Sequence, residues 1–405
     1  MTDTTGWIPI GWRRVRLDAV GVIVTGGTPP THDRSYYGVA KMFASPADLG
    51  DTKYVTSTAK RLSLRGFKRS RRMPAGTTLF VCIGSTIGKV GLAIEELTAN
   101  QQINAIIPDE RMVDHEYLYY AATTLSSRVR DQAGEQAVPL VNKSDFSAFE
   151  VLLPSIGEQR AIASVLANAD RMVGTLERLI AKKQAIKQGM MQELFTGNTR
   201  LSGFSKPWTP AQLGDIASMG SGGTPPSGNT NFYGGGVPWV SISDMTSASK
   251  YVRTIEKTLT SEGLAHSAAR IYDEGVVLYA MYASLGECAI PIGRVSSSQA
   301  ILGIKPGPKL DQEFLYYYLT FIRNEVKKMG QQGTQSNLNA GMVRKFTFNL
   351  PAIEEQRAIA SVLANADDEL GVLRTRLTKA RAIKQGMMQQ LLTGQTRLPI
   401  GGSVR

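Results

Sequence analysis

Apolar positions follow two regimes along this chain. Over two stretches they recur at alternating steps of four and three, the heptad period of a helix that packs along a seam. One stretch reads Ile359, Leu363, Ala366, Leu370, Leu373, Leu377 and Ala380; the other places Ile162, Leu166, Ala169, Val173, Leu176 and Ile180 at matching positions. Past these residues Lys183 and Lys384 fall where the seam would continue. The apolar set is therefore expected to move to Ile186, Met190 and Leu194 in one copy, and to Ile383, Met387 and Leu391 in the other. That return to a four-residue step is what a straight helix makes on reaching a new partner. Gly189 and Gly386 lie inside these stretches and each costs about 1 kcal/mol against alanine, yet the helix is expected to run through them. Pro154 and Pro351 bias the starts, and Ser155 with Glu158 has the spacing of a capping box.

Each stretch predicts one helix of about 38 residues, a rod of roughly 57 Å. A rod with a heptad stripe cannot bury it alone. The two copies are expected to form an intramolecular antiparallel pair; two core helices, each satisfied in its own domain, are the alternative. The letters support a common origin. EQRAIASVLANAD occurs at Glu158–Asp170 and again at Glu355–Asp367, AIKQGMMQ at Ala185–Gln192 and Ala382–Gln389. Both copies end alike, in FTGNTRL at Phe195–Leu201 and LTGQTRL at Leu392–Leu398.

Elsewhere short apolar runs alternate with Gly-, Pro- and Ser-rich turns, the pattern of a mixed α/β unit. The clearest strands are Thr78–Ile83 and Val276–Met281; the best helices run from Glu116 to about Arg130 and from Gln312 to about Met329. These parts also repeat, more loosely. The stretch Trp12–Pro30 matches Trp208–Pro226, Lys53-Tyr54-Val55 matches Lys250-Tyr251-Val252, and Glu116–Tyr120 matches Glu313–Tyr317. Leu153-Pro154 and Leu350-Pro351 close the two units just before their helices. The organisation is globular unit 1–154, helix 155–200, globular unit 201–351, helix and tail 352–405.

Composition is that of an ordinary globular protein, without an apolar run near the ~18 residues of a membrane span and without a signal-peptide pattern. Cys82 and Cys288 are expected to be buried thiols in a reducing cytoplasm. The net charge of +12 is spread evenly, +3 in each of the four segments, so it is not a basic tail. It fits a polyanionic partner, or simple solubility.

Few motifs carry chemistry. GGTPP, at Gly26–Pro30 and Gly222–Pro226, reads as a phosphate cradle or, better, as a rigid turn in which glycine supplies positive φ. GSTIGK at Gly84–Lys89 is one residue short of a nucleotide-binding P-loop, and ASLGEC at Ala283–Cys288 lacks its lysine. His32, His115 and His266 are isolated, and no catalytic or metal-ligating constellation emerges. The sharpest charged feature is KRLSLRGFKRSRR, Lys60–Arg72, with Lys60, Arg61, Arg65, Lys68, Arg69, Arg71 and Arg72 and no acid among them. Leu62, Leu64 and Phe67 are expected to anchor it to a folded surface. It reads as a solvated face or as a DNA contact, arginine being suited to phosphates and to guanine edges. The matching stretch of the second unit keeps only Lys257, His266 and Arg270, so the two units would read different sequences.

Two diverged units alternating with two near-identical helices, the TG-x-TRL helix ends, and LPSIGEQR and LPAIEEQR at Leu153–Arg160 and Leu350–Arg357 resemble the specificity subunit of type I restriction–modification systems. GTQSNLN at Gly333–Asn339 resembles that family's end-of-unit motif, and GEQAVPLVN from Gly134 matches it more loosely. The resemblance implies an α+β chain of two target recognition domains joined by an antiparallel coiled coil with pseudo-two-fold symmetry. Each domain would read one half of a split double-stranded DNA site. It implies a non-catalytic cytoplasmic chain that docks two modification subunits carrying adenosylmethionine, completed by translocating restriction subunits that use ATP and Mg²⁺. Two other classes stay open on the residues: a DNA-modifying enzyme with its own site between the units, and a structural coiled-coil adaptor.

Overall fold

The computed structural model of the chain describes residues 7–50, 52–134, 138–332 and 337–399. The end-of-unit motifs lie partly outside them, at residues 135–137 and 333–336. Two long helices dominate, Ile156–Thr196 with 41 residues and Ile353–Leu392 with 40. Both run through their interior glycines, and both end at a glycine in the left-handed region, Gly197 at φ 73° and Gly394 at φ 71°. The chain forms two compact units. One holds the chain up to Glu177 and from Arg376 onward; the other is Arg178–Thr375. Each unit therefore contains one globular part, the first half of one long helix and the second half of the other. No helix among the described residues is long and apolar enough to cross a membrane.

In the first unit a five-stranded sheet has the order Gly21–Thr25, Ile103–Pro108, Thr78–Val81, Val90–Ala93, Tyr54–Val55, antiparallel except for its last, parallel pair. A three-stranded sheet, Lys60–Leu62, Tyr37–Ala44, Thr98–Ala99, carries a register shift between Tyr37 and Lys41. Arg13–Arg16 and Glu150–Leu153 pair where the chain enters and leaves the globular part. The second unit has the same three sheets in the same strand order, with its own register shift between Tyr233 and Val237. The helices expected over 116–130 and 312–329 are each broken. They divide into His115–Thr124 and Ser126–Ala133, and into Gln312–Phe321 and Arg323–Gln332, with Leu125 and Ile322 as the joints.

The ends of the long helices are part of the globular cores. In the first unit Ile162, Leu166, Leu391 and Leu392 join Phe80, Tyr117 and Phe146 in one buried cluster. In the second, Leu194, Phe195, Ile359 and Leu363 join Tyr279, Phe314 and Leu315. Within each unit the two helix halves run antiparallel. Glu158, Asp170 and Glu177 meet Arg397, Lys384 and Arg381 in one, while Arg200, Lys187 and Lys183 meet Glu355, Asp367 and Glu369 in the other. Along this seam Ile162, Leu166, Ile180, Ile359, Leu363, Leu370 and Leu373 are buried, and Ala169, Val173, Leu176, Ala366 and Leu377 are half-buried.

The expected drift of the seam does not occur at two positions. Ile186 is 46% exposed and Ile383 62%, so neither packs along it. The heptad phase continues instead through Lys187 and Lys384, whose ammonium groups are met by Asp367 and Asp170. The capping box is half formed. The Glu158 amide donates to Ser155 Oγ at 3.4 Å, but its carboxylate turns away to receive Trp12 Nε1 at 3.1 Å and Arg397 Nε at 2.5 Å. Glu355 does the same with Trp208 at 3.0 Å and Arg200 at 2.6 and 2.7 Å. Gln159 and Gln356 use both ends of their amides. Each accepts a backbone amide, of Asp114 or Asp311, at 2.8 Å and donates to the carbonyl of Pro154 or Pro351 at 2.9 Å. The repeated Glu-Gln pair is thus the fastening of each helix start to its unit.

Candidate nucleic-acid interface

The basic run is built on a short helix, Leu64–Arg69, that packs on the 3₁₀ turn Arg34–Tyr36. Ser63 caps it, its Oγ accepting the Gly66 amide at 3.1 Å. Gly66 is required by close approach, since a Cβ there would strike the Tyr36 carbonyl. The second unit repeats the device. Thr260 caps Ser261–Ala265 through the Gly263 amide at 3.0 Å, and a Cβ on Gly263 would strike the Phe232 carbonyl.

On this shared scaffold the exposed side chains differ. In the first unit Arg65 and Arg69 lie over the Tyr36 ring, at 5.1 and 5.7 Å, and Arg72 lies 5.8 Å from the Phe67 centroid. These contacts hold guanidinium planes on aromatic faces while leaving them in solvent. Arg65 also donates to Ser35 Oγ at 3.0 Å, and Arg71 to the Thr25 carbonyl at 2.6 Å. In the second unit His266 takes the place of Arg69 and stacks on Phe232 at 5.6 Å, while Glu262 stands where Arg65 does. One position has exchanged a guanidinium for an imidazole, the other has reversed sign.

Not every residue of the run faces solvent in the expected way. Lys60 and Lys68 are exposed, but Arg61 is half-buried and donates back to the Val39 carbonyl at 2.9 Å. Leu62 and Phe67 are buried as anchors; Leu64 is not, being 61% exposed. Lys257 and Arg270 are both exposed, with the Arg270 guanidinium lying against Gly220.

The GGTPP loop joins the same surface, which sequence alone left unassigned. Its glycines do not have positive φ among the described residues. Close approach explains the first glycine of each loop instead: a Cβ on Gly26 or Gly222 would collide with carbonyl oxygens of Ala99 and Asn100, or of Ser297. The Gly27 and Gly223 amides donate to Ala99 and Ser297 at 2.8 and 2.9 Å. Tyr37 and Tyr233 hydroxyls each hold a proline carbonyl of the loop at 2.8 Å. Thr28 donates to Gln101 at 2.5 Å and Thr224 to Gln299, leaving these polar pairs at the surface. Their signal in the sequence is the unchanged GGTPP within otherwise diverged units.

Among the described residues no group of three or more His, Cys, Asp or Glu side chains is placed to hold a metal ion. Cys82 and Cys288 are buried and unpaired, and burial pushes the Cys82 thiol up to about 12.

The chain matches the family described as type I restriction modification DNA specificity domain twice, over residues 9–188 and 205–380. It is 24% identical over 331 residues to the type I restriction enzyme MjaVIII specificity subunit of Methanocaldococcus jannaschii, covering 77% of this chain and 76% of that one. In fold it is similar to a chain from a type I R-M system, with a TM-score of 0.65 at 20% identity over 96% of this chain and all of the other. The type I restriction-modification S subunit from M. genitalium superposes with a TM-score of 0.59 at 16% identity, over 94% and 96% of the two chains.

Proposed function

Because the chain belongs to the type I restriction modification DNA specificity family, we propose that each of its two units reads one half of a split DNA site. The chain is the DNA specificity subunit of a type I restriction–modification system and is not its catalyst. The observation that carries the split-site reading is the duplicated scaffold with unlike side chains: Arg65 and Arg69 in one unit, Glu262 and His266 in the other, each beside an unchanged GGTPP loop. A constant framework suits contacts that every sequence offers, and the divergent positions suit discrimination. In this reading Lys60, Arg65, Lys68, Arg69, Arg71 and Arg72 of the first unit, and Lys257, His266 and Arg270 of the second, face the duplex, while Arg61 turns back to the Val39 carbonyl. Residues 1–154 and 201–351 are the recognition domains, and 155–200 and 352–405 supply the spacer. Two modification subunits bind the spacer and bring adenosylmethionine to an adenine flipped out of the stack; restriction subunits bring ATP and Mg²⁺, and the complex works in the cytoplasm.

The test pairs the purified chain with its modification subunit, labelled adenosylmethionine and DNA. The chain alone is expected to transfer no methyl group, and the pair to methylate one bipartite site. Transfer by the chain alone would place catalysis in it and overturn the reading. A second expectation concerns the basic run. Changing Arg69, Arg71 and Arg72 to alanine weakens DNA binding and lowers the slope of log affinity against log salt by about 0.9 per lost phosphate contact. An unchanged slope would make the run a solvated face only.

A further inference from the structure

Six residues whose role the recognition of DNA leaves unexplained form the same chain of contacts in both units. In the first, Lys384 of one long helix meets Asp170 of the other. Asp170 accepts the Tyr120 hydroxyl at 2.6 Å, and Tyr120 accepts the Lys53 ammonium at 3.2 Å. Lys53 pairs with Glu116 at 3.1 Å, and Glu116 accepts the Tyr54 hydroxyl. The second unit repeats it residue for residue. Lys187 meets Asp367 at 2.5 Å, Asp367 accepts Tyr317 at 2.9 Å, and Tyr317 accepts Lys250 at 3.3 Å. Lys250 pairs with Glu313 at 3.0 Å, and Glu313 accepts Tyr251 at 2.5 Å.

The cages around the inner lysines also match. Lys53 lies 5.0, 5.6 and 4.5 Å from the ring centres of Tyr54, Tyr119 and Tyr120; Lys250 lies 5.1, 5.6 and 4.7 Å from Tyr251, Tyr316 and Tyr317. The Lys53 and Lys250 side chains are only 7% and 10% exposed. Each chain holds two cations and two anions, with the tyrosine hydroxyl as a directional link between an ammonium donor and a carboxylate acceptor. It joins three bodies: the globular part, the first long helix and the second long helix. An apolar seam tolerates sliding and rotation; a charge-assisted chain of defined donors and acceptors does not. None of the six residues belongs to the surface assigned to DNA.

We propose that these chains are the joints that set the angle of each globular part on its helices, and that Lys384 and Lys187 are positioning residues for the spacing of the recognised site. The inference rests on the split-site reading above. Arginine retains the charge and the reach of lysine, whereas methionine retains the length and loses the charge. Lys384→Met and Lys187→Met, each in the full chain with its modification subunit, are expected to methylate sites whose gaps are one base pair shorter or longer than the parent's, at no less than a tenth of the parental rate. The half-site sequences should stay as in the parent, and the thermal midpoint should fall by only a few degrees, because Asp170 and Asp367 lose a cation but keep the Tyr120 and Tyr317 hydroxyls. Lys384→Arg and Lys187→Arg should restore a single gap. Methionine variants that keep one gap, or that lose methylation at every site together with their thermal stability, overturn the joint. A parent that methylates no bipartite site would instead overturn the split-site reading, so the two failures are distinct.

Discussion

Replacing Glu355 by alanine is expected to destabilise the second unit by about 3 kcal/mol, the cost of leaving a buried partner without its counter-charge. Glu355 is 1% exposed and receives two hydrogen bonds from Arg200 and one from Trp208. Its loss strands a guanidinium and an indole N–H at the point where a helix start, a helix end and the globular part meet. Arg200 is about a quarter exposed, so water partly rehydrates it and the effect falls at the lower end of the range for buried pairs. Glu355→Gln keeps the volume and the Trp208 acceptor and should cost less. Hydrogen exchange resolved by segment is the measurement. Protection should fall within residues 201–375 while 12–177 keeps its own, and Glu158→Ala should give the converse through Trp12 and Arg397. A loss below about 1 kcal/mol, the range of exposed pairs, would show that these contacts form without holding the unit together.

Lengthening both long helices by four residues is expected to lengthen the gap of the methylated site and to leave its half-sites unchanged. Both helices pass from one unit to the other, between Glu177 and Arg178 and between Thr375 and Arg376. An insertion into one alone would be opposed by the other, so four residues belong at each of the two points. The added rise is about 6 Å, nearly two base-pair steps, and four residues are close to one helical turn. The heptad face is nearly kept, as in a stutter. The joints at Asp170 and Lys384, and at Asp367 and Lys187, lie outside the inserted segments and retain their partners. Methylation mapping reads the outcome directly. The original gap, or altered half-sites, would show that these helices are not the spacer.

Much of this molecule is legible in its sequence because its governing signals are local or repeated. A heptad period needs only neighbouring residues to be seen, and it placed both long helices to within a few residues. Letter-for-letter repetition exposed the doubled architecture, and the LPxxxEQR and TRL motifs were distinctive enough to carry the family. Tertiary structure decided what those letters do. Glu158 and Arg397 are 239 positions apart, and nothing local announces that the first closes the charge of the second. Counting apolar residues sent the seam to Ile186 and Ile383, because periodicity treats lysine as a break. In the folded chain Lys187 and Lys384 stay in phase, since an aspartate from the opposing helix lowers the cost of bringing each cation inward. The glycines of GGTPP looked like a demand for positive φ, yet the constraint on Gly26 and Gly222 is a carbonyl from a loop some seventy residues away. Local pattern determines where elements form and which face is apolar. The partner of a buried charge, and the backbone that a missing Cβ admits, are set by segments distant in the chain, and only the fold brings them together.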